Sequence, residues 1–232
     1  MLRKSPALFL ATAIIAISAT PSTVLAASWL PVTYEDGIAV YTKDVPGRGF
    51  PTFRGVGMIE ADIFDVLAVI SDIKRHPEWM SRCKESRLLD KKSETEYIVY
   101  TRTDAPWPVS DRDAVFHSKS TVNIADKEVI VRFWAVRSNR MPKVNGVVRM
   151  VELNGRYKLK AWGKGRTKID YMVDANPGGM IPTWMAKMAT KKMPLITIQK
   201  LRKQIKRTKG KYAERIARWK KTNWQAKKQP GK

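Results

Sequence analysis

From Trp29 to Asn176 apolar and polar positions mostly alternate with period two, the signature of half-buried strands. "WLPVTYEDGIAVYTKDV" predicts a hairpin turning at Asp36-Gly37, with Ile38, Val40 and Thr42 alternating after it. "FRGVGMIEA" continues as a strand. In "DIFDVLAVISDIKRHPEWM" the period lengthens: Ile63, Val66, Leu67 and Ile70 share one helical face, Asp62 is a capping residue, and Pro77 is expected to end the helix. "SETEYIVYTRT", "RDAVFHSKSTVNI" and "KEVIVRFWAVR" predict three strands, the last two joined by a turn at Ala125-Asp126. "GVVRMVEL" and "RYKLKAWG" flank Asn154-Gly155, which reads as a tight hairpin turn. "RTKIDYMVDAN" follows a turn at Gly163-Lys164-Gly165 and completes an antiparallel meander.

The alternation assigns the faces. Tyr97, Val99 and Thr101 share one parity, as do Ala114, Phe116, Ser118, Ser120 and Val122; Val129, Val131, Phe133 and Ala135; Tyr157, Leu159 and Ala161; and Thr167, Ile169, Tyr171 and Val173. The opposite parity is charged, so one face is wet and the other must be covered. The cover comes after "ANPGG": "MIPTWMAKMATKKMPLITIQKLRKQI" predicts a long helix, tolerant of Pro182 in its first turn and kinked at Pro194. Ile181, Trp184, Met185 and Met188 form one apolar stripe; Leu195, Ile198, Leu201 and Ile205 form a second. The expected fold is α+β, a curved antiparallel sheet wrapped around a long C-terminal helix. Its covered face carries Ser118, Ser120, Thr101, Thr167, Tyr97, Tyr157 and Tyr171, where a dense core would favour Leu and Ile. Scattered hydroxyls facing inward point to internal water or a ligand cavity.

Charge changes the picture at the two ends. The net charge is +23, and residues 186–232 hold 17 Lys and Arg against one acid, Glu214. Such a segment seeks phosphate-rich surfaces, or is simply a solvated tail. At the other end "MLRKSPALFLATAIIAISATPSTVLA" has a basic start, an apolar run from about Ala7 to Ala19 and small residues up to Ala26. That order is a secretory signal peptide cleaved near Ala26, the alternative being an uncleaved anchor, for which the run is short. Export to the periplasm would give the basic end an anionic membrane as its partner rather than nucleic acid. Cys83 is alone and reads as a small buried or half-buried residue.

The sharpest motif is "TDAPWPVSDRD", a rigid Pro106-Trp107-Pro108 corner followed by Asp111-Arg112-Asp113 at the start of a strand. The prolines fix the corner, Trp107 is expected to fill it, and Arg112 is expected to pair with Asp111 or Asp113 to pin the strand. "APWPVSDRD", with "DIFDVLAVISDIKRHPEWM" and "YMVDANPGGMIPTWM" in the same order and spacing, resembles START (StAR-related lipid-transfer) domains from about Trp29 to Lys206. The resemblance implies a helix-grip fold, in which sheet and C-terminal helix enclose an apolar tunnel for one lipid-like molecule. It divides the chain into a signal peptide over 1–26, a lipid-binding domain over 27–206 and a basic tail over 207–232. Six residues beyond Arg112, where sterol- and phospholipid-carrying relatives call for a buried arginine, stands Ser118, so no head-group preference carries over. A hydroxyl-lined tunnel suits a weakly polar ligand such as a sterol, a fatty acid or a hopanoid-like molecule.

The residues expected to line the tunnel are Tyr97, Val99, Thr101, Phe116, Ser118, Phe133, Tyr157, Tyr171, Trp184 and Met188. The structural corner comprises Pro106, Trp107, Pro108, Arg112 and Asp113. Lys191, Lys192, Arg202, Lys203, Arg218 and Trp219 are expected to dock on an anionic membrane, with Tyr212, Ile216 and Trp219 forming a small apolar face, unless this end is a frayed tail. The segments 142–146 and 177–179 are the expected moving parts. The expected function is an exported, monomeric lipid-binding or transfer protein. The alternative is a helix-grip enzyme of cyclase, dehydratase or hydrolase type, but no G-x-S-x-G elbow occurs and neither His76 nor His117 is paired with an inward acid. No cofactor is expected: Cys83, His76 and His117 lack metal-ligand spacing, and "GKGRTK" fails the P-loop pattern.

Overall fold

The computed structural model describes residues 28–221, apart from 48, 49 and 124. The expected signal peptide and the last residues of the basic tail lie outside the described residues. The chain forms β1 (Leu30–Glu35), β2 (Ile38–Lys43), β3 (Thr52–Ile59), α1 (Ile63–Ile70), a single 3-10 turn at Ile73–Arg75, α2 (His76–Trp79), β4 (Cys83–Ser93) and β5 (Glu96–Thr103). It continues as β6 (Arg112–Asn123), β7 (Glu128–Ala135), β8 (Val148–Arg149), β9 (Glu152–Ala161), β10 (Thr167–Asn176), α3 (Thr183–Arg207) and α4 (Ala213–Lys221).

All ten strands belong to one curved sheet in the order β1-β2-β3-β10-β9-β7-β6-β5-β4, antiparallel throughout, with the short β8 added in parallel to the start of β6. The β1–β2 turn is at Asp36-Gly37, both in the left-handed region (φ 56° and 67°), the geometry that Asp-Gly supplies. Asp62 caps α1 as expected, its side chain accepting from the Phe64 N–H at 2.9 Å. The helix stops at Ser71, six residues before Pro77. Pro77 lies in the first turn of α2, where its missing N–H costs nothing.

Two expectations about the sheet fail. Asn154-Gly155 is no turn but the middle of β9, paired with Asp174 and Val173 of β10. The glycine answers a packing need: a Cβ there would stand 2.1 Å from Cζ of Phe133, so the ring lies where a side chain would be. "GVVRMVEL" accordingly yields only the two residues of β8 and the start of β9. The alternation scheme also lacks β4, an edge strand rich in Lys, Arg, Glu and Asp that pairs with β5 through three irregularities.

α3 crosses the inner face, packing on β2 and β3 and against α1 and α2. It runs unbroken through Pro194, which is buried. Ile198 and Leu201 are fully buried in the core with Val66, Leu67, Trp79, Leu159 and Ile169. The fold continues past residue 206, the expected boundary of the domain. α4 returns against α1, Tyr212 and Trp219 enter the core, and the Tyr212 hydroxyl donates to Asp72 at 2.8 Å. Among the described residues no helix is long and apolar enough to cross a membrane.

Candidate functional site

Because α3 leans on the β2–β3 side, a cavity of about 550 Å3 remains between it and the rest of the sheet. Its floor is Thr101, Phe116, Ser118, Val131, Phe133, Tyr157, Tyr171 and Val173 from β5, β6, β7, β9 and β10. The end of α1 and the α2 region supply Ile70, Ile73, His76 and Met80, while Met185, Met188, Ala189, Met193 and Ile196 of α3 form the roof. Arg82, Asp104, Ala105, Arg112, Pro177, Ile181, Lys192 and Lys200 complete the wall. The volume falls within the usual range for small-molecule sites, and the lining is mostly apolar with a few polar groups.

The floor is built on a continuous run of aromatic rings. Tyr157 and Tyr171 are register partners on β9 and β10, and their rings stack with centroids 4.6 Å apart and an interplanar angle of 6°. Phe53 meets Tyr171 edge-on at 6.1 Å; Phe133 meets Tyr157 at 5.8 Å and Phe116 at 5.7 Å. Gly155 makes this possible, since it clears the space that Phe133 needs.

Titratable groups on or beside this wall are uncharged near neutrality. Burial pulls His76 down to about 4, against the favourable hydrogen bond its Nε2 makes to the Ile70 carbonyl at 2.9 Å. Burial raises the Tyr171 and Tyr157 hydroxyls above the ordinary tyrosine range and pushes Cys83 up to about 12. Cys83 is therefore a protonated, buried thiol.

Of the residues expected to line a tunnel, Thr101, Phe116, Ser118, Phe133, Tyr157, Tyr171 and Met188 are on the cavity wall. Tyr97, Val99 and Trp184 are not. Tyr97 and Val99 are buried in the core, Tyr97 donating to the Glu94 carbonyl, and Trp184 is 51% exposed. Alternation gave the inward parity of Tyr97 and Val99 correctly, but it cannot say where along a strand the roof lifts away. His76, Met80, Ser81 and Arg82 reach the wall unannounced because Pro77 read as a stop. The proline-tolerant first turn of a second helix was the signal that could have found them.

The corner is arranged differently from the expectation. Trp107 is 90% exposed and fills nothing; it projects from a corner whose Trp107–Pro108 peptide is cis. Arg112 pairs with neither neighbouring acid. It is buried, and donates to the carbonyls of Ser110 (2.6 Å), Gly178 (3.1 Å) and Pro177 (3.4 Å). Burial lowers its pKa. Asp111 instead holds Arg102 and the Ala105 N–H, and Asp113 holds Arg149, which also donates to the carbonyls of Met141 and Pro142. Adjacent residues of β6 thus tie down both segments expected to move.

The residues expected to dock on a membrane also divide. Lys191, Lys192, Lys203 and Arg218 are exposed, and Lys192 reaches the cavity wall. Arg202 is occupied internally, donating to the carbonyls of Met58 and Asp36 at 2.8 Å each. Trp219 is 2% exposed, with the Arg215 guanidinium 5.7 Å from its ring centroid, so it is a core residue and not a membrane anchor. The exposed apolar side chains lie elsewhere: Trp107 in the β5–β6 corner, Met180 (95% exposed) just before α3, and Trp184 in its first turn. Arg112 links these segments through Ser110 and Gly178, beside Ala105, Pro177 and Ile181 of the cavity wall.

The sequence profile of the START domain family matches residues 19–211, and the chain belongs to this family. An uncharacterized Pseudomonas aeruginosa protein is 35% identical over 187 residues, covering 81% of this chain and 91% of its own. The bovine phosphatidylcholine transfer protein is 27% identical over 168 residues, 71% and 78% of the two chains. The solved STAR-related lipid transfer protein of Xanthomonas axonopodis superposes with a TM-score of 0.69 at 32% identity, covering 77% of this chain and 98% of that one. Human STARD10 has a TM-score of 0.70 at 16% identity, over 85% and 82%, and shares the fold. The helix-grip architecture is that of the family.

Proposed function

We propose that this protein is a lipid carrier that holds one amphiphilic molecule in the cavity beneath α3 and exchanges it at an anionic membrane surface. The observation that carries this reading is the 550 Å3 cavity, floored by aromatic rings and roofed by methionines, in a chain of the START family. Burying a ligand's apolar surface there gains roughly 25 cal/mol per Å2, enough to hold a molecule that water rejects. Methionine suits the roof, since a flexible and polarizable side chain packs against ligands of differing outline. The named transfer activity of the bovine relative and of the Xanthomonas protein supports the same class.

Catalysis is the less favoured reading. His76, Cys83, Tyr157 and Tyr171 all hold pKa values far from neutrality, which suits inert lining better than proton transfer. Export and monomeric action belong to the carrier reading, the first resting on the N-terminal stretch of residues 1–26.

Membrane contact falls to Trp107, Met180 and Trp184, with Lys187 and Lys191 of α3 exposed nearby in sequence. Apolar tips beside cations suit an interface where rings sit among head groups and lysines meet phosphate. The test incubates the purified protein with mixed phosphatidylglycerol and phosphatidylethanolamine vesicles, re-isolates it and extracts its lipid. Wild type is expected to carry about one equivalent, and Phe133→Arg none, while both still sediment with the vesicles. Replacing Trp107 and Trp184 by alanine should abolish sedimentation yet leave uptake from detergent-dispersed lipid. Equal uptake by Phe133→Arg and wild type would remove the cavity from the account.

A further inference from the structure

The cavity wall contains polar atoms that the fold itself leaves without partners. His76 Nδ1 and Tyr157 Oη are shut away from solvent and meet no hydrogen-bond partner, and Trp79 Nε1, just behind them, is in the same condition. Both lining residues are more than nine-tenths buried, His76 4% and Tyr157 3% exposed. They share one neighbourhood: the His76 and Trp79 rings meet edge-on at 5.3 Å, Trp79 meets Tyr157 at 6.3 Å, and Tyr157 stacks on Tyr171. The Tyr157 hydroxyl lies against that of Tyr171 without reaching hydrogen-bonding geometry.

Buried polar groups in native proteins almost always find partners, and leaving one unmade is costly. Three in one neighbourhood of a cavity wall call for a guest that supplies the missing bonds. The guest's chemistry follows from what surrounds it. A tyrosine hydroxyl donates and accepts, and a neutral imidazole nitrogen accepts or donates according to its tautomer. The cations on the cavity wall are Arg82, which is paired with Asp104 at 3.0 Å, Arg112, and the exposed Lys192 and Lys200. They belong to the start of β4, the start of β6 and to α3, not to the β9–β10 tyrosine pair. An anion placed against the tyrosines would be desolvated without a counter-charge, whereas a hydroxyl would not.

Resting on the carrier reading above, we propose that the wall formed by His76, Tyr157 and Tyr171 is a subsite for one uncharged hydrogen-bonding group of the ligand, an alcohol hydroxyl above all. The ligand class is then an amphiphile with a hydroxyl group seated inside the fold, its apolar body running beneath the methionines of α3. A charged head group, where present, stays toward Arg112, Lys192 and Lys200.

Three probes of equal chain length separate the outcomes: 1-hexadecanol, 1-chlorohexadecane, which cannot donate a hydrogen bond, and hexadecanoate. Binding to the delipidated full chain is read by native mass spectrometry under direct competition. The alcohol is expected to out-compete the chloride and the carboxylate by about ten-fold, the order of one buried hydrogen bond. Tyr171→Phe and Tyr157→Phe keep the stacked rings and should each erase most of that preference while leaving chloride binding unchanged. Retained chloride binding also reports that the variants fold. If all three probes bind wild type equally, or if the tyrosine variants keep the preference for the alcohol, the subsite is wrong while the carrier reading stands. If no probe binds wild type, the carrier reading itself fails and the subsite with it.

Discussion

Asp113 grips Arg149 with both carboxylate oxygens, at 2.6 Å to Nε and 3.0 Å to Nη2, from a position only 1% exposed. The pair joins β6 to β8, and Arg149 passes the constraint on to the carbonyls of Met141 and Pro142. Its neighbour Arg112 does the same for Pro177 and Gly178. Removing one partner of a buried pair leaves an uncompensated charge, at a cost of about 3 kcal/mol or more. Asp113→Ala is therefore expected to lower the thermal midpoint by roughly 8 °C in a domain of this size. Differential scanning calorimetry checks this, and a loss under 2 °C would mean the pair is dispensable.

Gly155 makes a sharper geometric prediction. An alanine there would put its Cβ 2.1 Å from the Phe133 ring, and the ring's only relief is to move. Because Phe133 lines the cavity, Gly155→Ala should cost about 1–3 kcal/mol as overpacking and reduce lipid occupancy as well. Chemical denaturation and extracted lipid, measured on the same sample, test the two effects together. Full occupancy with normal stability would show that the ring is not confined as described.

The pH dependence has a definite sign. His76 titrates near 4 in the folded protein against an ordinary 6.5, because burial disfavours its charged form. Below about pH 6.5 the unfolded chain takes up a proton that the folded chain refuses. Stability is thus undiminished by this group above 6.5 and falls as pH drops towards 4, by about 1.4 kcal/mol per unit at most and about 3 kcal/mol in all. The carboxyls of Glu78 and Glu94, held low chiefly by hydrogen bonds from Gln204 and Lys91, add their loss only near and below the ordinary carboxylate range. Between pH 6.5 and 5 the slope should therefore flatten in His76→Gln. An unchanged slope would place the titration elsewhere.

The C-terminal segment separates folding from docking. Trp219 is a core residue of α4, so Trp219→Ala should cost about 3 kcal/mol and leave vesicle affinity intact in the protein that remains folded. Cutting the chain after Arg207 removes Tyr212 and Trp219 together and is expected to destabilise the domain, not merely release it from membranes. Circular dichroism melts alongside vesicle sedimentation distinguish the two. A stable truncated protein that no longer sediments would restore the segment as a membrane anchor.

Local chemistry made some of this fold readable and hid the rest. Asp36-Gly37 and the Asp62 cap could be placed from sequence because each acts within a few residues of itself. Asn154-Gly155 has the same local signal as Asp36-Gly37 but answers a contact with Phe133, a residue of another strand, and nothing nearby in sequence announces that. β4 escaped notice because an edge strand facing water carries charge where alternation looks for apolar residues. The inward parity of Thr101, Phe116, Ser118, Tyr157 and Tyr171 was legible, and so the cavity floor was too. The contribution of His76, the carbonyl clamp of Arg112 and the burial of Trp219 all depend on tertiary packing, which periodicity does not encode.

The measurement that bears most directly on the account is native mass spectrometry of the protein purified from its own cells without detergent, followed by solvent extraction of whatever it carries. The account predicts one apolar amphiphile per chain, lost in Phe133→Arg. Protein that is empty as isolated, and still empty after incubation with mixed cellular lipids, would contradict it.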